Sequence, residues 1–149
     1  MLLAHWDNKS ENQRLLCISE KDWPDGGKCS KPFAMLQDVG SAWGPRKVDL
    51  PEWEKAPIWA DRKSCTTSMD ALPYHGATFN PVKISEAGRK HLGGLLTQLS
   101  DPQLEAMFSA ARFDRPTGMV FKQTTPVSEW VRVFKSKVKQ ITDGPACPQ

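Results

Sequence analysis

His5-Trp6-Asp7-Asn8-Lys9-Ser10-Glu11-Asn12, followed at once by Gln13-Arg14-Leu15-Leu16-Cys17-Ile18, is the stretch on which the reading of this chain turns. The first half gathers an imidazole, carboxylates, an ammonium and amide oxygens into one polar segment. The second half ends in the apolar run Leu15-Leu16-Cys17-Ile18, which reads as a short buried strand. A loop rich in reactive groups therefore runs directly into a strand.

Working outward, Asp22-Trp23-Pro24-Asp25-Gly26-Gly27 is a strong turn signal. Phe33-Ala34-Met35-Leu36-Gln37-Asp38-Val39 reads as a second strand, so the two strands form a hairpin with an extended loop. Gly40 through Pro45 breaks the pattern, and residues 46–83, rich in Trp, Pro and small polar residues, read as irregular structure with short elements. Residues 84–142 are helical. Leu92, Leu95, Leu96 and Leu99 share one helix face, although Gly93 and Gly94 each weaken the helix by about 1 kcal/mol relative to Ala. Ser100-Asp101-Pro102-Gln103 is a helix start with a Ser cap, an early Pro and Gln at the capping-box position. Leu104, Met107, Phe108 and Ala111 continue that helix's apolar face. A third helix starts at Thr125-Pro126 and carries Trp130, Val133, Phe134, Val138 and Ile141 on one side. The expected fold is α+β: a small β-hairpin carrying the loop motifs, packed on a mainly helical C-terminal part. Residues 1–149 form one domain or a domain fragment, divided as 1–45, 46–83 and 84–142, with the stripes at 92–99 and 104–111 both buried.

Composition narrows the function. Hydrophobic residues make up 39% and charged residues 25% of the 149 positions, and six Trp and six Phe supply a core. A net charge of +3, with the charges interspersed, gives no reason to expect nucleic acid as a partner. The basic run Arg132, Lys135, Lys137 and Lys139 reads as a solvated helix face. No window approaches the ~18 apolar residues of a membrane span, and the first residues have no signal-peptide pattern. The four cysteines, Cys17, Cys29, Cys65 and Cys147, contain no CxxC pair and have no His at zinc-finger spacing. Cys17 and Cys29 flank a loop that a disulfide can close in an oxidising, extracytoplasmic compartment; free thiols are the alternative in a reducing one. Cys65 and Cys147 read as buried or cross-linked rather than nucleophilic, and His75 and His91 as structural.

Phosphoryl transfer to a hydroxyl requires an acidic group near the attacking oxygen, a cation near the moving phosphate, and oxygen ligands for divalent metal. Protein kinases concentrate the first set in the pattern H-R-D-x-x-x-x-N. Here His5, Asp7 and Asn12 fit that pattern, and Lys9 stands two positions after the Asp, where Ser/Thr kinases usually keep a lysine. The second kinase element is a metal-binding Asp-Phe-Gly, and Gln37-Asp38-Val39-Gly40 keeps its Asp and Gly. Residues 5–40 thus resemble the catalytic and metal loops of the protein-kinase-like superfamily, C-terminal-lobe portion. They are also similar to a group of uncharacterised bacterial proteins sharing HWDNK…NQRL and LQDVG signatures.

The resemblance implies ATP and Mg²⁺ as cofactors, a nucleotide partner and an unidentified acceptor. Asp7 would orient and partly deprotonate the acceptor hydroxyl, and Lys9 would sit against the transferring phosphate. Asn12 and Asp38 would hold Mg²⁺, which prefers hard oxygen ligands. It further implies that the Asp7 and Asp38 carboxylates converge within roughly 10 Å. Trp6 replaces the family's Arg, which puts activation through a loop phosphate in doubt. A glycine-rich phosphate loop, a strand lysine and the Ala-Pro-Glu segment have no counterpart, so an N-terminal lobe is expected to precede these residues. Two other functions compete: a non-catalytic pseudokinase-like binding module, and a metal-dependent hydrolase using His5, Asp7 and Asp38. The latter is disfavoured because it leaves the positions of Lys9 and Asn12 unexplained.

Overall fold

The computed structural model describes residues 2–3, 12–18, 29, 31–36, 43, 49–68, 82–114 and 124–148. Strands β1 (Gln13–Cys17) and β2 (Pro32–Leu36) pair antiparallel, with Gln13 opposite Leu36, Leu16 opposite Phe33 and Cys17 opposite Pro32. Helix α1 (Leu50–Lys55) is started by Asp49, whose carboxylate accepts the Glu52 N–H at 3.1 Å. Pro51 occupies its first turn, where no N–H is needed. Strands β3 (Trp59–Asp61) and β4 (Thr66–Thr67) form a second small hairpin, and Thr66 also bridges to Lys83. Helices α2 (Glu86–Leu96), α3 (Asp101–Ala110) and α4 (Val127–Thr142) follow. The described architecture is α+β, two antiparallel hairpins and four helices.

Helix α4 is the spine of the core. Its Trp130, Val133, Phe134, Val138 and Ile141 are buried, as their helical spacing requires. Leu104 and Phe108 of α3 and Leu50 and Trp53 of α1 join Trp130, Val133, Phe134 and Val138 in one cluster. The aromatic rings meet edge-on or tilted: Trp43 lies 4.8 Å from Trp53 and 5.2 Å from Phe108, and Phe113 lies 4.7 Å from Trp130. Burying an indole requires a partner for its N–H. Trp53 Nε1 donates to the Leu2 carbonyl at 2.7 Å and Trp130 Nε1 to the Phe113 carbonyl at 3.1 Å. Trp43 adopts φ +72°, a left-handed conformation costly for a bulky side chain, and its ring contacts to Trp53, Phe108 and Phe113 accompany that strain.

Several expectations are corrected. The leucine stripe of α2 is not buried: Leu92, Leu95 and Leu99 are exposed, and only Leu96 packs partly against the core. Helix α2 instead turns Arg89 and Gly93 inward. A Cβ on Gly93 would stand 3.0 Å from Thr142 Cγ2, so the missing side chain lets α2 approach the end of α4. On α3, Leu104 and Phe108 are buried as expected, while Met107 is exposed. Leu16 and Ile18, expected in a buried strand, are not buried either. Leu16, Ile18 and Phe33 are 41%, 69% and 53% exposed, so the hairpin face that carries Leu16 and Phe33 is held by backbone pairing rather than burial. Lys137 is not on a solvated face. It is 1% exposed, inside the apolar arc formed by Val133 and Ile141.

Candidate functional site

Strand β1 begins one residue after Asn12, and its first residue, Gln13, pairs with Leu36, the last of β2. The loop carrying Asn12 therefore enters the hairpin at the end from which β2 departs toward Asp38, two positions further along. At the opposite end a disulfide joins Cys17 to Cys29, with Cα atoms 5.8 Å apart, as expected from the loop they flank. Asn12 itself is half-buried. Asp7, Lys9 and Asp38 lie outside the described residues, and so does the convergence of the Asp7 and Asp38 carboxylates. Among the described residues no group of three or more His, Cys, Asp or Glu is placed to hold a metal ion. The amide oxygen of Asn12 and the carboxylate of Asp38 are hard donors, chemically suited to Mg²⁺.

The densest polar constellation among the described residues is at the C-terminal end of α4. A helix end leaves carbonyls without intrahelical donors and carries partial negative charge. Here they are met by groups from distant elements. Arg89 Nη1 donates to the Ile141 and Thr142 carbonyls, each at 2.8 Å, and Trp59 Nε1 donates to Gln140 at 2.8 Å. Arg62 donates through Nε and Nη2 to the Asp143 carbonyl at 3.3 and 3.0 Å, and its guanidinium lies 5.1 Å from the centre of the Trp59 ring.

Glu86 holds Arg89 in a bidentate grip, at 2.8 and 2.7 Å, and also accepts the Cys147 N–H at 2.8 Å. The Arg89 guanidinium, with that N–H, draws the Glu86 carboxyl down to about 2, and Glu86 in turn raises Arg89. A second disulfide, Cys65–Cys147, fixes the tail to the β3–β4 turn, giving both cysteines the cross-linked role expected of them. Cys65 sits at φ +53°, and its sulfur accepts from Arg62 Nη1 at 3.0 Å.

Lys137 works similarly on α1. Its ammonium donates to the Glu54 carbonyl at 3.0 Å and to the Ala56 carbonyl, closing the end of that helix from inside the core. Burial lowers its pKa. Glu54 is held low chiefly by its hydrogen bond to Arg132 at 2.8 Å. These perturbed groups face backbone carbonyls or each other, an arrangement that builds a scaffold rather than presenting a reacting atom. Sequence reasoning missed them, although Lys137 had a signal: it lies four residues from both Val133 and Ile141, in the middle of the apolar face.

An open groove of about 620 Å³ runs between the α2–α3 connection and α4, lined by Leu96, Leu99, Leu104, Phe134 and Val138 among others. Of its charged lining residues, Lys135 pairs with Asp101 at 2.6 Å, and Lys139 lies 4.0 Å from Asp143, which is outside the lining. Among the described residues no helix is long and apolar enough to cross a membrane. No family model matches the chain, and no curated protein or solved structure matches it either.

Proposed function

We propose that this chain carries the catalytic and metal loops of a kinase-like phosphotransferase, moving phosphate from ATP to a hydroxyl acceptor. The observation that carries the reading is the hairpin register. Gln13 pairs with Leu36, so Asn12 and the departure toward Asp38 share one end of a two-stranded unit. Asp38 follows Leu36 by two residues, which tethers its Cα within roughly 7 Å of that strand end. A loop–strand–turn–strand–loop of this kind suits the delivery of two oxygen ligands to one site.

In this reading Asp7 orients the acceptor hydroxyl and takes up its proton, and Lys9 faces the transferring phosphate. Asn12 and Asp38 are the residues that would hold Mg²⁺, which supplies charge neutralisation at the nucleotide phosphates when bound. Nucleotide grip from a glycine-rich lobe would complete the site. We place the working form in an extracytoplasmic, oxidising setting, which the pairing of all four cysteines supports.

Calorimetric titration of the chain with ATP, with and without Mg²⁺, tests the assignment. Weak Mg²⁺-dependent binding is expected in the wild type and in Asp7→Ala, and loss of the Mg²⁺ dependence in Asp38→Ala. Phosphotransfer is expected once a glycine-rich lobe is supplied, and Asp7→Ala should abolish it. Absence of any Mg²⁺-dependent binding, or its persistence in Asp38→Ala, overturns the reading. Binding without transfer in the completed protein makes the chain a pseudokinase-like binding module.

A further inference from the structure

The two disulfides differ in burial, and only one belongs to the unit that carries Asn12. Cys65 and Cys147 are 0% and 5% exposed. Their bridge lies in the network that closes α4, with Arg62 donating to Cys65 Sγ and the Cys147 N–H held by Glu86. Cys17 and Cys29 are half-buried instead, on a hairpin whose Leu16, Ile18 and Phe33 are exposed.

A two-stranded hairpin is marginal by itself, and burial does little to specify its register on an open face, such as the one that carries Leu16 and Phe33. Slipping by one residue would exchange the two faces and carry the strand ends out of alignment. Cys17 ends β1 and Cys29 stands three residues before β2, so their bond fixes the pairing from the end opposite Asn12.

We propose that Cys17–Cys29 is a redox-sensitive clamp on the hairpin register. A dithiol opens it while Cys65–Cys147 stays closed, and opening weakens binding at the Asn12 end. The last clause rests on the phosphotransferase reading; the clamp itself does not. One thiolate of the dithiol attacks a bridge sulfur, forms a mixed disulfide and expels the other sulfur as thiolate. The second thiol then displaces the remaining cysteine, and the reductant leaves as its own cyclic disulfide. Two electrons pass to the bridge, and Cys17 and Cys29 each end as a thiol after taking up a proton. The rate of such exchange depends on access to the sulfur, which separates the two bridges.

The test exposes the native chain to graded dithiothreitol without denaturant, quenches with iodoacetamide and maps the labelled cysteines by peptide mass spectrometry. Cys17 and Cys29 are expected to label first, at reductant levels that leave Cys65 and Cys147 unlabelled. Hydrogen exchange should then accelerate at the amides of β1 and β2 and remain slow in α4. Labelling of Cys65 and Cys147 at the same or lower reductant overturns the clamp, as does unchanged exchange in β1 and β2 once Cys17 and Cys29 are alkylated.

The nucleotide arm compares Mg²⁺-ATP affinity in the oxidised and the selectively alkylated chain. If opening leaves about one tenth of the hairpins correctly registered, apparent affinity falls about tenfold. Equal affinity in the two forms overturns the coupling. Selective labelling with the hairpin loosened, but no nucleotide bound by either form, upholds the clamp and removes the phosphotransferase reading. Cys17→Ser with Cys29→Ser should reproduce the alkylated form and be indifferent to dithiothreitol. Should that variant misfold, the alkylated wild-type chain gives the same comparison.

Discussion

Helix α4 and the β1–β2 hairpin are both regular secondary structure, yet different physics holds them. The inner side of α4 is buried against α1 and α3, and its last carbonyls are satisfied by Arg89, Trp59 and Arg62. The hairpin has its ladder and one covalent bridge, and Leu16, Ile18 and Phe33 on it are exposed. Backbone pairing can define a local shape without contributing much to global stability, because the unfolded chain bonds to water instead. Burial sets stability, and among the described residues the region proposed to carry the chemistry has less of it. This division is common, since sites that must move are drawn from the less stable parts of a fold.

The sharpest way to break the comparison is through the bridges. Cys65–Cys147 spans 82 positions and Cys17–Cys29 spans 12. On chain-entropy grounds, replacing both cysteines of the long bridge by Ser should cost about 4.5 kcal/mol, and of the short bridge at most about 3 kcal/mol. Urea unfolding followed by tryptophan fluorescence reads both; a larger loss from the short bridge would invert the comparison. Side-chain truncation comes next. Phe108→Ala, at 1% exposure, should lose about 3–5 kcal/mol, whereas Phe33→Ala, at 53%, should stay within about 0.5 kcal/mol in the same assay.

The capped end of α4 should also titrate. The folded-state value of Glu86, about 2, lies below the ordinary 4.5. Between these values the unfolded chain binds more protons, so stability is fully present above about 4.5 and is lost as pH falls toward 2. Thermal melts across that range should show a shallower decline for Glu86→Gln than for the wild type, and parallel declines would remove Glu86 from the account. The smallest effects concern neighbouring glycines. Gly94 has nothing within 4 Å of a built Cβ, so Gly94→Ala should stabilise by about 0.5–1 kcal/mol. Gly93→Ala should forfeit that gain or destabilise, because its Cβ meets Thr142 at 3.0 Å. Equal melting shifts for the two would deny the close approach of α2 to α4.

Much of this was legible where local chemistry decides. The capping box at Ser100 is present, with the Ser100 N–H donating to Gln103 Oε1 at 2.9 Å, and the α4 stripe is buried as spaced. The leucines of α2 misled because periodicity says which residues share a face, not which face the fold needs. Arg89 and Gly93 were wanted inside, one to close a helix end and the other to clear space, and neither is visible to a count of apolar side chains. Lys137 was misread for the same reason: carbonyls of α1 create the demand for a buried cation, and only the packing brings them to it. The partnership of Cys65 with Cys147 likewise had no local signature. Of the candidate site, Asn12 and the hairpin lie within the described residues, and Asp7, Lys9 and Asp38 do not.

The span of the contacts around α4 has a consequence for biosynthesis. Lys137 reaches back 83 residues to Glu54, and Trp59 reaches forward 81 residues to Gln140. Trp53, fully buried in the finished protein, leaves the ribosome long before Trp130, on which it stacks at 5.9 Å. At about 5–20 residues per second, that indole waits several seconds for its cover. A nascent chain showing a bare tryptophan for so long is one that a holding chaperone has time to meet.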